Sequence, residues 1–124
     1  MKQSEKQLHS QVCQYLKIAY PKIIFNTDSS GIKLTIGQAT QLKKLRSGNG
    51  FPDIMIFEPV GAFNGLFLEL KAEGTKIFKR DGTLVNEHLN EQYEMICKLR
   101  EKDYAAYFAV GFDQAIKIID SYLK

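Results

Sequence analysis

Leu66-Phe67-Leu68-Glu69-Leu70-Lys71-Ala72, together with the earlier stretch Gly50-Phe51-Pro52-Asp53-Ile54-Met55-Ile56-Phe57, sets ionisable groups inside apolar, strand-like runs. Strands rich in Ile, Leu and Phe bury one face or both, and an ionised group among them costs on the order of several kcal/mol unless something compensates it. A bound divalent cation would do so. Proline keeps the Pro52-Asp53 step extended, which suits the start of a strand, and side chains two apart on a pleated strand share a face. Leu66, Leu68 and Leu70 therefore line one face of the later run, and Phe67, Glu69 and Lys71 the other. The connection from Glu58 to Gly65 is too short for a crossover helix, so strands over Asp53 to Phe57 and Leu66 to Ala72 are expected to pair antiparallel.

A register placing Asp53 opposite Glu69 or Lys71 would bring both carboxylates to one face. Hard cations such as Mg²⁺ take oxygen ligands and keep several waters. Asp53, Glu69 and the carbonyl of Leu70, which lies between the two charged side chains, would make an open site with room for a substrate phosphate and a nucleophilic water. Lys71 is placed to orient or help deprotonate that water and to offset charge on a phosphorane-like transition state. The chemistry this implies is phosphodiester hydrolysis by in-line attack of a metal-activated water. The competing reading is a buried ion pair between Asp53 and Lys71 in a non-catalytic DNA-binding or assembly module, although such pairs seldom improve stability.

The chain around these stretches reads as one domain, 1–124, with 44% hydrophobic and 25% charged residues. That length suffices to bury roughly two thirds of the unfolded surface. No apolar run approaches a membrane span, and Met1-Lys2-Gln3 has no signal-peptide layout, so a soluble, cytoplasmic protein is expected. Cys13 and Cys97 form no Cys-x-x-Cys pair, which argues against a disulfide framework or thiolate zinc and for buried, reduced thiols. The net charge of +3 suits a polyanion only if the positive groups cluster.

Outward from the two strands, Ser4-Glu5-Lys6-Gln7 reads as a capping box for a helix from about Glu5 to Tyr20, with Leu8, Val12, Tyr15, Leu16 and Ala19 at helical spacing. Pro21 stops it, and Ile23-Ile24-Phe25 favours a strand leading into the turn-rich Asn26 to Gly31. Gly37 to Arg46 is expected as a short helix, with Ala39, Leu42 and Leu45 inward and Lys43, Lys44 and Arg46 outward. Lys76 to Lys79 and Thr83 to Val85 flank the Arg80-Asp81-Gly82 turn as a side hairpin. Asn90 is expected to cap a helix through Lys102 carrying a core stripe of Tyr93, Ile96 and Leu99. Tyr104 to Val110 reads as a buried strand, and Asp113 as the cap of a last helix with Ala115, Ile116, Ile119, Tyr122 and Leu123 inward. The order α-β-(α)-β-β-hairpin-α-β-α predicts an α/β domain, a mixed β-sheet flanked by helices.

Two more residues point toward the strand charges. At about 100° per residue, Glu5 falls on the side of Leu8, Val12 and Leu16 and is expected to face the core, as a further metal carboxylate or as a first-turn glutamate favoured by the helix dipole. Gln92 shares a face with Ile96 and Leu99, so it is either a buried amide needing partners such as Lys71 or a phosphate, or a solvated first-turn residue.

Gly50-x-Pro52-Asp53, then Glu69-x-Lys71, then a helix starting near Gln92, preceded by a helix bearing Glu5, resembles the VRR-NUC branch of the PD-(D/E)xK nuclease superfamily, in its small stand-alone, phage-type form. The likeness spans Glu5 to about Asp113. It implies a restriction-endonuclease-like fold, with Mg²⁺ or Mn²⁺ on Asp53, Glu69 and the Leu70 carbonyl, Lys71 catalytic, and Gln92 and Glu5 completing the site. It also implies a homodimer acting on branched DNA such as four-way (Holliday) junctions. The hairpin from Phe78 to Val85 exceeds the barest family pattern.

Lys43, Lys44 and Arg46 just before the site, and Lys76, Lys79 and Arg80 just after it, could form two patches that phosphates bridge, or could be solvated faces. His9 and His88 are the only histidines and lie far apart, so a histidine-based nucleophilic site is not expected. Ser29-Ser30-Gly31 reads as a turn more readily than as a phosphate-touching loop.

Overall fold

The computed structural model describes residues 3–28 and 32–124. Helix α1, Glu5–Ala19, begins where expected: the Ser4 hydroxyl accepts from Gln7 N–H and the Gln7 side chain accepts from Ser4 N–H. Its apolar stripe buries Leu8, Val12 and Leu16. Strand β1 is Phe25–Thr27, helix α2 Ile36–Lys44, strand β2 Ile54–Ile56 and strand β3 Leu66–Lys71. Helix α3, Glu87–Glu101, strand β4, Ala105–Val110, and helix α4, Phe112–Leu123, complete the domain.

The strands lie in the order β1-β2-β3-β4. β1 and β3 both run antiparallel to β2, while β4 is parallel to β3 through the α3 crossover. Period-two alternation then sorts the side chains of β3 between two cores. Leu66, Leu68 and Leu70 pack with Ile54, Ile56, Ala105 and Ala109 under α1 and α4. Phe67 turns to the other side, against Ile96 of α3 and Ala106. Both faces of β3 are covered, which is why all six of its residues are buried. Gly65, one residue before β3, stands so close to its neighbour that a Cβ there would meet the Ile56 carbonyl oxygen at 2.7 Å.

Several expectations shift. The first strand starts at Phe25, two residues later than read, because Ile23 N–H is still bonded to the Tyr20 carbonyl. Helix α3 starts a full turn before Asn90: Asn86 is the cap, its side chain accepting from Leu89 N–H. Asp113 lies inside the first turn of α4, whose cap position is Gly111 at φ 85°. The side hairpin is reduced to one bridge, Phe78 to Leu84, held by Lys79 N–H on Thr83 O and Val85 N–H on Ile77 O. The two cysteines are half-buried, not buried.

The largest departure is α2. It forms, capped reciprocally by Thr35 and Gln38, but it buries nothing: Ala39 and Leu45 are exposed and Leu42 half-buried. No layer of the fold covers it. At the far side of the sheet β4 is an edge strand, and its outer row is met by side chains: Arg100 Nε donates to Ala106 O at 3.0 Å, and Val110 N–H to Gln114 Oε1 at 2.6 Å. Polar capping of this kind blunts a strand edge. No helix among the described residues is long and apolar enough to cross a membrane.

Candidate active site

The pairing of the first three strands lines up three acids at one end of the sheet. Thr27 pairs with Ile54 and Ile54 with Leu68, so one step further along each strand Asp28, Asp53 and Glu69 follow one another in a row. Asp28 N–H donates to the Asp53 carbonyl at 2.9 Å, which carries the ladder one residue past β1. Directly opposed like charges are destabilising. Each acid here has a separate compensation.

Asp28 accepts from the Arg46 guanidinium. Asp53, one residue beyond buried Pro52, accepts at Oδ2 from Leu70 N–H at 2.7 Å. Glu69 Oε1 accepts from Gln92 Nε2 and lies 3.8 Å from Lys71 Nζ. The register and this coupling put Asp53 and Glu69 on the same side of the sheet, the side α3 covers. Gln92 reaches it because α3 begins at Glu87, which makes Gln92 a second-turn residue buried against the sheet and not a solvated first-turn one. The loop before Asp53 presses on the same helix. A Cβ at Gly50, whose φ is +78°, would meet Glu91 O at 3.0 Å and Gln92 Cα at 3.2 Å, so only glycine fits without a shift.

Glu69 is the least compensated of the three. It is 3% exposed, and its Oε2 has no hydrogen-bond partner, like Gln92 Oε1 beside it. Burial first, and the Asp53 charge second, push its carboxyl up to about 9 against the opposing pull of Lys71. Such a group holds a proton at neutral pH unless a cation takes its place. A cleft of about 680 Å³ opens onto it, lined by Glu5, Asp28, Asp53, Glu69, Lys71 and Gln92 among others.

An orphaned, buried carboxylate oxygen beside a second carboxylate is the donor chemistry a hard divalent cation takes. Among the described residues no three His, Cys, Asp or Glu side chains stand as a ligand group, so protein carboxylates would supply only part of the shell.

Asp53, Glu69, Lys71 and Gln92 are thus brought together, and Leu70 lies between the charged pair with its N–H already given to Asp53. Glu5 differs from expectation: it is exposed and lines the cleft instead of facing the core. Lys43 and Arg46 line the cleft. Lys44, Lys76, Lys79 and Arg80 are exposed and are not among its lining residues. Ser29-Ser30-Gly31 lies outside the described residues.

Two lining residues carried no functional signal in the sequence, Asp28 and His88. His88 stands four residues before Gln92, on the same face of α3, and would have been found had the helix been started at Asn86. Asp28 emerges only from the strand register.

A mixed sheet flanked by helices, with acids and a lysine gathered at one end of its strands, is the restriction-endonuclease-like α/β arrangement. Within that class, a solved structure named "VRR_NUC domain protein" superposes with a TM-score of 0.71 at 22% identity, over 98% of this chain and 88% of that one. Another, named "VRR_NUC domain", gives 0.50 at 18% identity over 93% of this chain and 97% of that one. The chain has the fold of the VRR_NUC domain, as the motif order implied. No family profile and no curated protein matches it.

Proposed function

We propose that this chain is a metal-dependent endonuclease of the VRR-NUC kind, which hydrolyses phosphodiester bonds in branched DNA as a homodimer. The observation that carries the reading is Glu69, a buried carboxylate with an unpartnered oxygen, set beside Asp53 and Lys71 at the wall of an open cleft. Asp53 and Glu69, with the Leu70 carbonyl, would hold Mg²⁺ or Mn²⁺, and Glu5 lies at the same cleft for a water-mediated contact. The cation, when bound, supplies Lewis acidity at the phosphate and lowers the pKa of water.

The remaining roles belong to the chain. Gln92 fixes the Glu69 carboxylate by donating to Oε1, which leaves the other oxygen buried and without a hydrogen-bond partner for a cation to take. Lys71 carries its charge to the point where negative charge grows in the transition state, and a buried ammonium is worth more there than in water. Lys43 and Arg46 supply phosphate contacts along the cleft wall, independent of base sequence. Lys44, Lys76, Lys79 and Arg80 would add contacts outside it.

Branched substrate and dimer rest on the resemblance of the motif order alone. Two symmetric cuts in a four-way junction require two sites, and one chain offers one. The test is incubation of the purified chain with linear, flapped and four-way DNA, with and without Mg²⁺, alongside sedimentation to read its oligomeric state. Mg²⁺-dependent cutting that disappears in Asp53→Ala and Glu69→Ala is the expected result. Binding without cutting would instead mark a non-catalytic DNA-binding module.

A further inference from the structure

Asp28 is an anomaly in a cleft that receives a polyanion. Asp53 and Glu69 would have a cation to answer them, but Asp28 is already paired with Arg46, and a third carboxylate in the row should only repel phosphate. Its partner suggests a different purpose. The Arg46 guanidinium lies on Asp28 Oδ1, with the Arg46 side chain 30% exposed and that of Asp28 13% exposed, and both line the cleft.

Arg46 follows α2, which has no buried residue, so no core packing of that helix steadies it. Asp28 is steadied: its N–H is tied to the Asp53 carbonyl at 2.9 Å, one place along the row from the site. A guanidinium is a planar fork of five donors, suited to hold a carboxylate with one edge and a phosphate with another. We propose that Asp28 is a positioning residue that aims the Arg46 guanidinium at the substrate phosphate. The proposal rests on the nuclease reading of the cleft and deepens it by naming how an arginine on an unburied arm is held in register with the acids.

Simple electrostatics and positioning disagree in sign, which makes the idea testable. Removing a carboxylate from a DNA-binding cleft should tighten binding if the carboxylate merely repels; if it positions Arg46, removal should weaken binding. The experiment measures affinity of the full chain for a fluorescein-labelled four-way junction and a labelled duplex, with Ca²⁺ in place of Mg²⁺ to prevent cutting, at several salt concentrations. Arg46→Ala is expected to weaken binding about tenfold, the scale of one charge-assisted hydrogen bond, and to lower the salt slope by about one. Asp28→Asn should also weaken binding, severalfold, with the salt slope kept. The double variant should bind like Arg46→Ala alone. Arg46→Lys, which keeps the charge but not the fork, should recover little of the loss.

Unchanged or tighter binding by Asp28→Asn, or additive losses in the double variant, would overturn the proposal. Thermal melting of each variant excludes unfolding as the cause, and if Asp28→Asn is unstable, Asp28→Ser and Arg46→Lys carry the comparison. Failure of the wild-type chain to bind either DNA would refute the nuclease reading itself, and the positioning role with it. Binding by the wild type with no effect of Asp28 refutes the positioning role alone.

Discussion

β3 and α2 invert the usual rule about which residues go inside. β3 buries Glu69 and Lys71 along with its leucines, whereas α2 leaves its leading Ile36 89% exposed. Local preference does not separate them, since each element forms where its residues favour it. Their neighbours do. β3 lies between β2 and β4 with α1 and α4 on one face and α3 on the other, so every side chain it carries is enclosed. α2 has no layer over it and serves as the cleft's outer wall, presenting Ile36, Ala39, Leu42 and Lys43 to the opening. Charge buried on a central strand and apolar surface left out on an arm mark the same place from two sides.

The contrast is most easily broken at the core of β3. Leu68→Ala removes a fully buried side chain and should cost about 2–5 kcal/mol in urea unfolding. A loss below ~1 kcal/mol would show that β3 is less enclosed than described. Lys71→Ala should then slow single-turnover cleavage about 10²- to 10³-fold, as for loss of one preorganised electrostatic group, while Mg²⁺ binding by calorimetry stays near wild type. An equal loss of metal affinity would move Lys71 out of the transition-state role.

A pH series sharpens the comparison. Glu69 titrates near 4.5 when unfolded and is raised to about 9 when folded, so in metal-free protein the folded state holds a proton that the unfolded state has released between those values. The contribution of Glu69 to stability is therefore complete below about 4.5 and declines as pH rises toward 9. The urea midpoint should fall across that window without metal, fall less with Mg²⁺ present, and flatten in Glu69→Gln. A wild-type midpoint no steeper with pH than that of Glu69→Gln would contradict the burial of an uncompensated carboxylate.

The smallest effect belongs to α2. Ile36→Ser should change stability by no more than ~0.5 kcal/mol, as befits an exposed position. A larger loss would mean that α2 packs against something in solution.

The motif residues were legible because each breaks a local pattern: Asp53 after Pro52, Glu69 and Lys71 on one face of an apolar strand. Gln92 was legible as buried from its spacing to Ile96 and Leu99, although its helix begins a turn earlier than Asn90 suggested. The inward assignment of Ala39, Leu42 and Leu45 failed because helical periodicity reports a potential apolar face and not whether anything covers it. Glu5 failed in a related way, since its phase matched Leu8 but it is exposed where Leu8 is buried.

By itself, the order of residues determined which stretches form strands, the starts of α1 and α2 to within a residue, and the charged set of β3, because proline geometry, capping side chains and two-residue alternation act within a few residues. Register and covering were decided only by the assembled sheet. They set Asp28 in line with Asp53 and Glu69, left one Glu69 oxygen without a partner and placed Arg46 on Asp28, because these contacts join side chains far apart in the chain and depend on which strand lies next to which.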